Sequence, residues 1–327
     1  MKVLLAPLSH VPIWAMPADQ RRRIIQACPG VTFADVYARE EIPRHIGTVD
    51  VAFVPGLTPA EIAAAKALRW VHTQAAGVGH LLSREFIDSP IVLTNSRGVR
   101  APAIAEHVLA MALVLARQIH TALARQRERV WAQDELERAG LMWTLRGRTM
   151  GVVGLGAIGA AVARLASAFG MDVIGLRRRT DAPAPDGVRQ VIPPDRLPDL
   201  LRASDVVVLA SALTPATEGL VGAPGLRLMP PHALLVNVGR GGLVREADLI
   251  DALRAGVIGG AALDVFEDEP LDPASPLWTL PNVIVSPHVS GATERYWDLV
   301  GDLFIENLRR FQRGEALLNV VDKQAGY

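Results

Sequence analysis

Three polar side chains follow three separate apolar runs in the second half of the chain. Arg240 comes after "LLVNVG", Glu269 lies in the loop after "AALDV", and His288 comes after "VIVSP". A guanidinium binds a carboxylate through two parallel hydrogen bonds, and a histidine exchanges protons near neutral pH. A carboxylate on the far ring nitrogen fixes the histidine tautomer and favours its charged form. This set suits the reduction of a 2-keto acid, with Arg240 on the carboxylate and His288 as proton donor.

A glycine-rich turn upstream predicts a site for the hydride donor. The stretch "MGVVGLGAIG" places Gly154, Gly156 and Gly159 in the spacing G-x-G-x-x-G, between an apolar run and a helical pattern. The first glycine permits a tight turn, the second lets a pyrophosphate approach the backbone, and the third lets helix and strand pack closely. The phosphates then face free N–H groups at a helix N-terminus. The pattern therefore indicates dinucleotide binding.

The residues after the next apolar run, "DVIGL", bear on which dinucleotide is bound. Sites for NAD place an acidic residue about 20 positions beyond the glycines, where it accepts the ribose 2′-hydroxyl. Here Arg177, Arg178 and Arg179 stand at that point instead. Because a guanidinium suits a 2′-phosphate, we predict that Arg177 and Arg178 prefer NADP(H), with NAD(H) as the alternative. Arg179 is expected to be solvated.

Short apolar runs alternate with helical patterns along the whole chain, which indicates an α/β protein. Most runs are continuously apolar, as in parallel strands that are covered on both faces. The length of 327 residues favours two domains. We further predict one long helix over 101–128, a proline-rich loop over 182–199 and a last helix over about 292–313.

The composition narrows the classes of function. Lys and Arg together number 34, as do Asp and Glu, so no net positive charge recruits nucleic acid. The single cysteine, Cys28, excludes an internal disulfide and agrees with a reducing compartment. The chain has no run of about 18 apolar residues that would indicate a membrane span. We therefore expect a cytoplasmic protein that acts on a small molecule, and we assign no metal site.

The stretches "GLGAIG", "NVGRGGLV", "ALDVFEDEPL" and "SPHVSGAT" together resemble the D-isomer-specific 2-hydroxyacid dehydrogenases, over nearly the whole chain. "LTPATEGLV" and the tail "VDKQAGY" resemble the glyoxylate/hydroxypyruvate reductase branch, which often prefers NADPH. The resemblance implies two Rossmann- or flavodoxin-like doubly wound parallel-sheet domains, with the active site in the cleft between them. It implies a substrate-binding domain of 1–98 plus 292–327, a dinucleotide-binding domain of 99–291 and a homodimer formed through about 101–145.

The same resemblance implies roles for individual residues. Arg240 binds the substrate, Glu269 orients His288, and His288 is the acid/base and also lies at the cofactor. "AAGVGH" resembles the family's substrate-cradling loop, which implies backbone contacts to substrate at Ala76, Gly77, Val78 and Gly79. Beyond the three glycines and the two arginines, the implied cofactor contacts are Ala157, Ile158, Ser211, Val238 and Asp264, the last toward the carboxamide.

Two other functions stay open from the sequence. A 3-phosphoglycerate dehydrogenase would use Arg97 or Arg100 for a substrate phosphate, although Arg177 argues against NAD as its cofactor. A dinucleotide-sensing binding protein on the same fold would retain the Arg–Glu–His set without turnover. Substrate specificity is expected from loops around 8–16 and 75–80, and from a segment in which Trp131 or Trp143 could reach a neighbouring active site.

Overall fold

The computed structural model describes residues 1–9, 15–138, 142–324 and 326, and it divides into two compact units. The first unit joins Met1–Val99 to Thr293–Tyr327, and the second comprises Arg100–Ala292. Each unit is built on its own parallel sheet. The predicted α/β class with two doubly wound parallel sheets is therefore confirmed. The roles expected for the two units stay predictions.

The first unit has a five-stranded parallel sheet in the order β2-β1-β3-β4-β5, with a change of direction between β1 and β3. Its strands are β1 Lys2–Leu5, β2 Thr32–Asp35, β3 Val51–Phe53, β4 Trp70–Thr73 and β5 Val92–Asn95. Its helices are α1 Ala18–Ala27, α2 Ile42–His45, α3 Pro59–Ala64, α4 Arg84–Asp88 and the last helix of the chain, α12 Tyr296–Arg313. This strand order is that of flavodoxin-like folds.

The last helix, α12, covers one face of the first unit's sheet. Phe304 and Leu308 of α12 lie in one apolar cluster with Val3, Leu5 and Phe53. The helix begins at Tyr296, four residues later than predicted.

His72 lies on β4 in the interior of the first unit, among aromatic rings. Its ring centroid is 4.8 Å from that of Phe53 and 5.4 Å from that of Phe304. Its Nδ1 is 2.7 Å from Thr94 Oγ1, and its Nε2 is 3.3 Å from Ser96 Oγ. Burial lowers the pKa of His72 to about 3, so this histidine is neutral and joins β4 to β5 as a hydrogen-bonding group.

The second unit has a seven-stranded parallel sheet in the order β12-β11-β10-β9-β6-β7-β8. Its strands are β6 Thr149–Val153, β7 Asp172–Leu176, β8 Gln190–Ile192, β9 Val206–Leu209, β10 Leu234–Asn237, β11 Gly260–Leu263 and β12 Val283–Val285. Its helices are α5 Ala101–Ala116, α6 Ile119–Glu128, α7 Gln133–Arg138, α8 Ala157–Ala168, α9 Leu197–Ala203, α10 Ala223–Leu226 and α11 Glu246–Arg254. The sheet changes direction between β6 and β9, and ligands of such sheets bind outside the strand ends at that point.

The prediction of one helix over 101–128 is wrong. The segment forms α5 and α6, which are bent by 65° at the break between them. Gln118 has a φ of +53°, a left-handed conformation that cannot continue a right-handed helix. Among the described residues no single helix is long and apolar enough to cross a membrane, and α5 with α6 meets those criteria only as this bent pair.

Two edge strands are missing from the sequence-based prediction. β8 lies within the stretch predicted as a loop, 182–199, where it pairs with β7, and α9 begins at Leu197 in the same stretch. β2 pairs with β1 and is only partly buried. Both are edge strands of three or four residues without a long apolar run, so their pairing depends on a neighbour that is distant in sequence.

The buried His72 predicts an acid-sensitive stability. Its pKa is about 3 in the folded protein and 6.5 in the reference state, so between these values the unfolded chain binds one more proton. Stability should therefore fall as the pH drops through this window, by up to about 1.4 kcal/mol per pH unit. Urea unfolding at about pH 7 and pH 5 should show a smaller loss for His72→Asn than for the wild type. An equal loss in both proteins would contradict this assignment.

Candidate active site

The three side chains that suit keto-acid chemistry come from three neighbouring strands. β10, β11 and β12 lie side by side and parallel in the sheet. Arg240 follows the carboxyl end of β10, Glu269 follows β11, and His288 follows β12. The structure therefore brings all three loops to the same edge of the second unit's sheet.

His288 and Glu269 form a direct pair. His288 Nδ1 is 2.7 Å from Glu269 Oε2, and the two side chains are 53% and 35% exposed. The other carboxylate oxygen, Glu269 Oε1, accepts a hydrogen bond of 3.1 Å from the backbone N–H of Phe266. The Glu269 carboxylate is held by its own loop and is hydrogen-bonded to His288 Nδ1. The other ring nitrogen of His288, Nε2, therefore remains for proton exchange with a ligand.

The buried carboxylate of Asp264 supports the loop that carries His288. It accepts hydrogen bonds from Ser286 Oγ at 2.6 Å, from Val289 N at 2.9 Å and from Ser290 N at 3.0 Å. The backbone carbonyl of Asp264 also accepts a hydrogen bond from His288 N at 2.9 Å. These bonds hold His288 in a left-handed conformation, with a φ of +54°. The predicted contact of Asp264 with a carboxamide stays a prediction.

Ser286 and His107 extend this support, and the sequence analysis missed both. Ser286 Oγ is 3.1 Å from His107 Nε2 on α5. A histidine inside an apolar helical pattern gives no signal of such a role. Only the packing of α5 on the second unit's sheet places it beside the loop of His288.

Asn237, the last residue of β10, shapes the loop that carries Arg240. Its buried side chain donates a hydrogen bond to Arg240 O at 3.0 Å and accepts one from Gly239 N at 3.1 Å. The Arg240 guanidinium is exposed and donates from Nη1 to Gly239 O at 2.7 Å. The sequence analysis missed Asn237, although a polar residue that ends a continuously apolar strand was a usable signal.

Gly241 lets the Arg240 loop pack directly on the backbone of the loop that leads to Glu269. A Cβ added at Gly241 would overlap the backbone of Phe266 and approach Glu267 N. Only glycine permits two backbones to pack this closely. The spacing between the arginine and the histidine–glutamate pair therefore depends on a residue without a side chain.

The glycine-rich turn has the geometry that a pyrophosphate requires. Gly154 has a φ of +98°, and a Cβ there would lie 2.8 Å from the Ser211 backbone. A Cβ at Gly159 would overlap the carbonyl oxygen of Gly154. A Cβ at Gly156, in contrast, would have no atom within 4 Å, and Gly156 is the N-cap of α8. Two glycines are thus needed for packing, and the third leaves an open cradle at a helix N-terminus, which fits a dinucleotide.

The other predicted cofactor residues lie around this turn or on neighbouring strand ends. Ala157 is exposed and Ile158 is half-buried at the start of α8. Ser211 Oγ is buried and has no hydrogen-bond partner within the described part of the chain. Val238 is buried after β10 and donates its N–H to Leu209 O at 3.2 Å. A buried hydroxyl without a partner is costly, so Ser211 is consistent with a ligand at this edge.

Arg177 contacts its own loop and also carries a donor that no described residue satisfies. Its Nη2 donates to the carbonyls of Ala182 and Pro183, the latter at 2.9 Å, and so holds the loop after β7. Its Nε is buried without an acceptor among the residues that the structure describes. Arg178 and Arg179 are exposed. The guanidinium of Arg177 therefore combines a structural contact with a donor that a phosphate oxygen would satisfy.

The predicted substrate cradle, residues 76–79, lies in the first unit after β4. Ala76, Gly77 and Gly79 are exposed, whereas the side chain of Val78 is 1% exposed and packs in the core. The loop is thus anchored by one apolar side chain and presents its backbone outward. Of the predicted specificity loop 8–16, residues 10–14 lie outside the described residues.

The comparison with family profiles identifies the chain. The profile described as "D-isomer specific 2-hydroxyacid dehydrogenase, NAD binding domain" matches residues 109–290, more than half of the chain. The chain belongs to this family. As a 2-hydroxyacid dehydrogenase it is an oxidoreductase with an NAD-binding domain.

Individual relatives of this dehydrogenase differ in their substrates. This chain is 38% identical over 263 residues to the glyoxylate reductase of Korarchaeum cryptofilum. The alignment covers 80% of this chain and 78% of the relative. The chain is 33% identical over 305 residues to the D-3-phosphoglycerate dehydrogenase of Methanocaldococcus jannaschii, covering 92% of this chain and 57% of that protein. A solved structure of the NADPH-dependent glyoxylate/hydroxypyruvate reductase of Sinorhizobium meliloti, in complex with NADP and sulfate, superposes with a TM-score of 0.81. That pair is 29% identical, with both chains covered completely.

The two tryptophans that the sequence analysis singled out have different environments in this dehydrogenase. Trp143 packs within its own chain, where its backbone N–H donates to Ala116 O at 2.9 Å and the centroid of its ring lies 6.3 Å from that of His232. Trp131 is 89% exposed. Residues 139–141 between them lie outside the described residues. Of the two, Trp131 is the one that the chain leaves accessible to another molecule.

Neighbouring glycines provide a matched test of the Gly241 contact. Gly241→Ala should move the Arg240 loop away from Phe266, lower the dehydrogenase activity by about tenfold or more and destabilise the protein by at least about 1–3 kcal/mol. A Cβ at Gly242 meets only the end of the Leu213 side chain, at 3.2 Å. Gly242→Ala should therefore stay close to wild type in turnover and in melting temperature. Equal effects of the two substitutions would show that the close backbone approach is unimportant.

Proposed function

We propose that this dehydrogenase reduces a small 2-keto acid, such as glyoxylate or hydroxypyruvate, to the D-2-hydroxy acid with NADP(H). The observation that carries the proposal is the His288–Glu269 pair at 2.7 Å, on strand ends adjacent to the one that bears Arg240. The relatives in Korarchaeum cryptofilum and Sinorhizobium meliloti support this substrate class, since both are named for glyoxylate reduction.

Arg240 and His288 have separate roles in the proposed reaction, which are substrate binding and proton transfer. Arg240 binds the substrate carboxylate through two hydrogen bonds and polarises the adjacent carbonyl, and the backbone N–H groups of residues 76–79 are assigned hydrogen bonds to the substrate oxygens. When bound, the reduced nicotinamide dinucleotide supplies the hydride. His288 in its charged form donates the Nε2 proton to the carbonyl oxygen, and Glu269 stabilises that charge before transfer.

The preference for NADP(H) follows from charge in the loop after β7. The 2′-phosphate carries roughly −1.5 to −2 charges near pH 7. Arg177 offers a buried Nε donor, and Arg178 is exposed in the same loop. No acidic residue accepts the ribose hydroxyl at this position of the sequence. NAD(H) remains the weaker alternative cofactor.

We also propose a role for each of the two units and a homodimeric assembly. Substrate binding is assigned to the first unit and dinucleotide binding to the second. A homodimer is supported by exposed apolar side chains in and after α6, namely Ile119, Leu123, Val130 and Trp131, because such a surface marks interaction sites. The cytoplasmic location and the lack of nucleic-acid partners stay predictions.

The second candidate enzyme is a phosphoglycerate dehydrogenase, which is supported by the relative in Methanocaldococcus jannaschii. Arg97 is exposed after β5 and Arg100 is half-buried before α5. A panel of glyoxylate, hydroxypyruvate and 3-phosphohydroxypyruvate, each with NADPH and with NADH, separates the candidates. Turnover of the phosphorylated acid alone would favour the rival enzyme. Coenzyme binding without any turnover would favour a dinucleotide-sensing protein.

Replacement of Glu269 tests the proton donor. Glu269→Gln keeps the size of the side chain but replaces the carboxylate that faces His288 Nδ1 with an amide. Keto-acid reduction should fall about tenfold or more near pH 7, because an amide can either donate to Nδ1 or accept from it and so no longer fixes the tautomer of the ring. The measurement is the initial rate of NADPH consumption.

Asp268 supplies the matched control for Glu269, since it is an exposed carboxylate in the same loop. Asp268→Asn removes one negative charge beside the site and should leave the rate of keto-acid reduction within about twofold of wild type. A Glu269→Gln rate as high as that of Asp268→Asn would exclude a functional pair.

Among the three consecutive arginines, Arg179 serves as the control in a test of cofactor choice. Arg178→Ala should weaken NADPH binding by about tenfold and leave NADH binding nearly unchanged, because it removes one charge-assisted hydrogen bond. Arg179→Ala should alter neither. Arg177→Asp should shift the preference further toward NADH, and it also removes the contacts to Ala182 and Pro183. Fluorescence titration at low salt measures both coenzymes, and a wild type that uses NADH as well as NADPH would contradict the assignment.

A further inference from the structure

Four consecutive backbone carbonyls, beginning with that of the last residue of β4, accept hydrogen bonds from side chains or N–H groups of the first unit. They belong to the segment that leads into the proposed substrate cradle. The bonds are Ser96 Oγ to Thr73 O at 3.0 Å, Tyr296 Oη to Gln74 O at 2.8 Å, Ser96 N to Ala75 O at 3.1 Å and Asn95 Nδ2 to Ala76 O at 2.6 Å. Three of these four bonds come from the two residues at the end of β5.

The bond from Asn95 sets the orientation of the first cradle peptide. In a planar trans peptide the carbonyl oxygen and the following N–H point in opposite directions. Asn95 is 1% exposed, so its bond draws the Ala76 carbonyl toward the interior. The N–H of Gly77 must then point away from the interior, and both Ala76 and Gly77 are exposed.

We propose that Asn95 is a positioning residue, which aims the Gly77 N–H at the carboxylate or carbonyl oxygen of the keto acid. The proposal rests on the proposed function, because it takes the cradle to be the substrate contact. It adds a residue outside the cradle on which substrate affinity depends.

The environment of Asn95 requires an amide side chain. Its Nδ2 donates to Ala76 O, and its Oδ1 accepts from Arg97 N at 3.3 Å. A carboxylate at this position would place a second acceptor against the Ala76 carbonyl, and an apolar side chain would leave that carbonyl without its donor. The asparagine amide supplies the donor and the acceptor together.

The backbone of Asn95 is held by the C-terminal segment. Its N–H donates to Asn319 O at 3.3 Å, and its carbonyl accepts from Asn319 Nδ2 at 3.2 Å. Asn319 has a φ of +57°, a conformation that asparagine tolerates better than most residues. The segment after α12 thus fixes β5 at the point where it supports the cradle.

The test compares Asn95→Ala with Asn282→Ala. Asn282 is the matched control, because its Nδ2 also donates to a backbone carbonyl, that of Leu253 at 3.4 Å, but beside β12 in the second unit. For glyoxylate with NADPH, Asn95→Ala should lower kcat/KM about 10- to 100-fold, mainly through KM. Its affinity for NADPH, measured by fluorescence titration, should stay within about twofold of wild type. The affinity of the NADPH complex for oxamate, an unreactive 2-keto acid analogue, should fall in parallel with kcat/KM.

A second variant separates positioning from loss of structure. Asn95→Asp keeps the size of the side chain but donates to Ala76 O only when the carboxyl is protonated. Its kcat/KM relative to wild type should therefore rise as the pH falls, a response that general destabilisation would not produce. If neither Asn95 variant folds, Tyr296→Phe removes the single donor to Gln74 O and should raise KM for glyoxylate without changing NADPH affinity.

The outcomes distinguish this proposal from the proposed function. Wild-type turnover of glyoxylate together with Asn95 variants that match Asn282→Ala would overturn the role of Asn95 alone. A parallel loss of NADPH and oxamate affinity in Asn95→Ala would also overturn it, because it would indicate a general structural defect. A wild type that neither reduces a keto acid nor binds oxamate would overturn the proposed function, and the role of Asn95 with it.

Discussion

The pair between His288 Nδ1 and Glu269 Oε2, at 2.7 Å, depends on two loops that no local interaction would hold together. Each loop leaves a different strand of a parallel sheet, and the register of β11 with β12 sets where both begin. Asp264 then holds the His288 loop through hydrogen bonds to backbone and side chain. Phe266 N holds the Glu269 carboxylate. The geometry of the His288–Glu269 contact therefore rests on sheet register and on the buried carboxylate of Asp264.

Buried polar residues at strand ends support the candidate site in both units. Asn237 bonds to the backbone on both sides of the Arg240 loop, and Asn95 does the same between Ala76 and Arg97. A buried polar group is stabilising only when its hydrogen bonds are satisfied. Because the hydrogen bonds of Asn237 and Asn95 must stay satisfied, they leave few alternative conformations to the loops that they contact. The hydrogen bonds fix the backbone of the loops that carry Arg240 and Ala76.

Glycines make the complementary contribution, because they let backbones approach where a side chain would intrude. Gly154 and Gly159 allow the first turn to pack against β9 and α8, and Gly241 allows the Arg240 loop to lie on Phe266. Gly156 differs from these three, since the space beside it is open. Packing alone explains the first three positions. The fourth has no such packing role and leaves the N-terminus of α8 open.

The sequence by itself determined the class of fold, the apolar strands and the three residues that are proposed to carry the chemistry. Continuous apolar runs, the G-x-G-x-x-G spacing, and Arg240, Glu269 and His288 after successive strands are local features, legible without coordinates. The tertiary structure decided what depends on distant partners: the edge strands β2 and β8, the break at Gln118, and the supporting roles of Asn95, Asn237, His107 and Ser286. It also showed Asp264 and Arg177 bonded to their own loops. A hydrogen bond between residues far apart in sequence leaves no periodic pattern in the chain, so only the folded backbone reveals it.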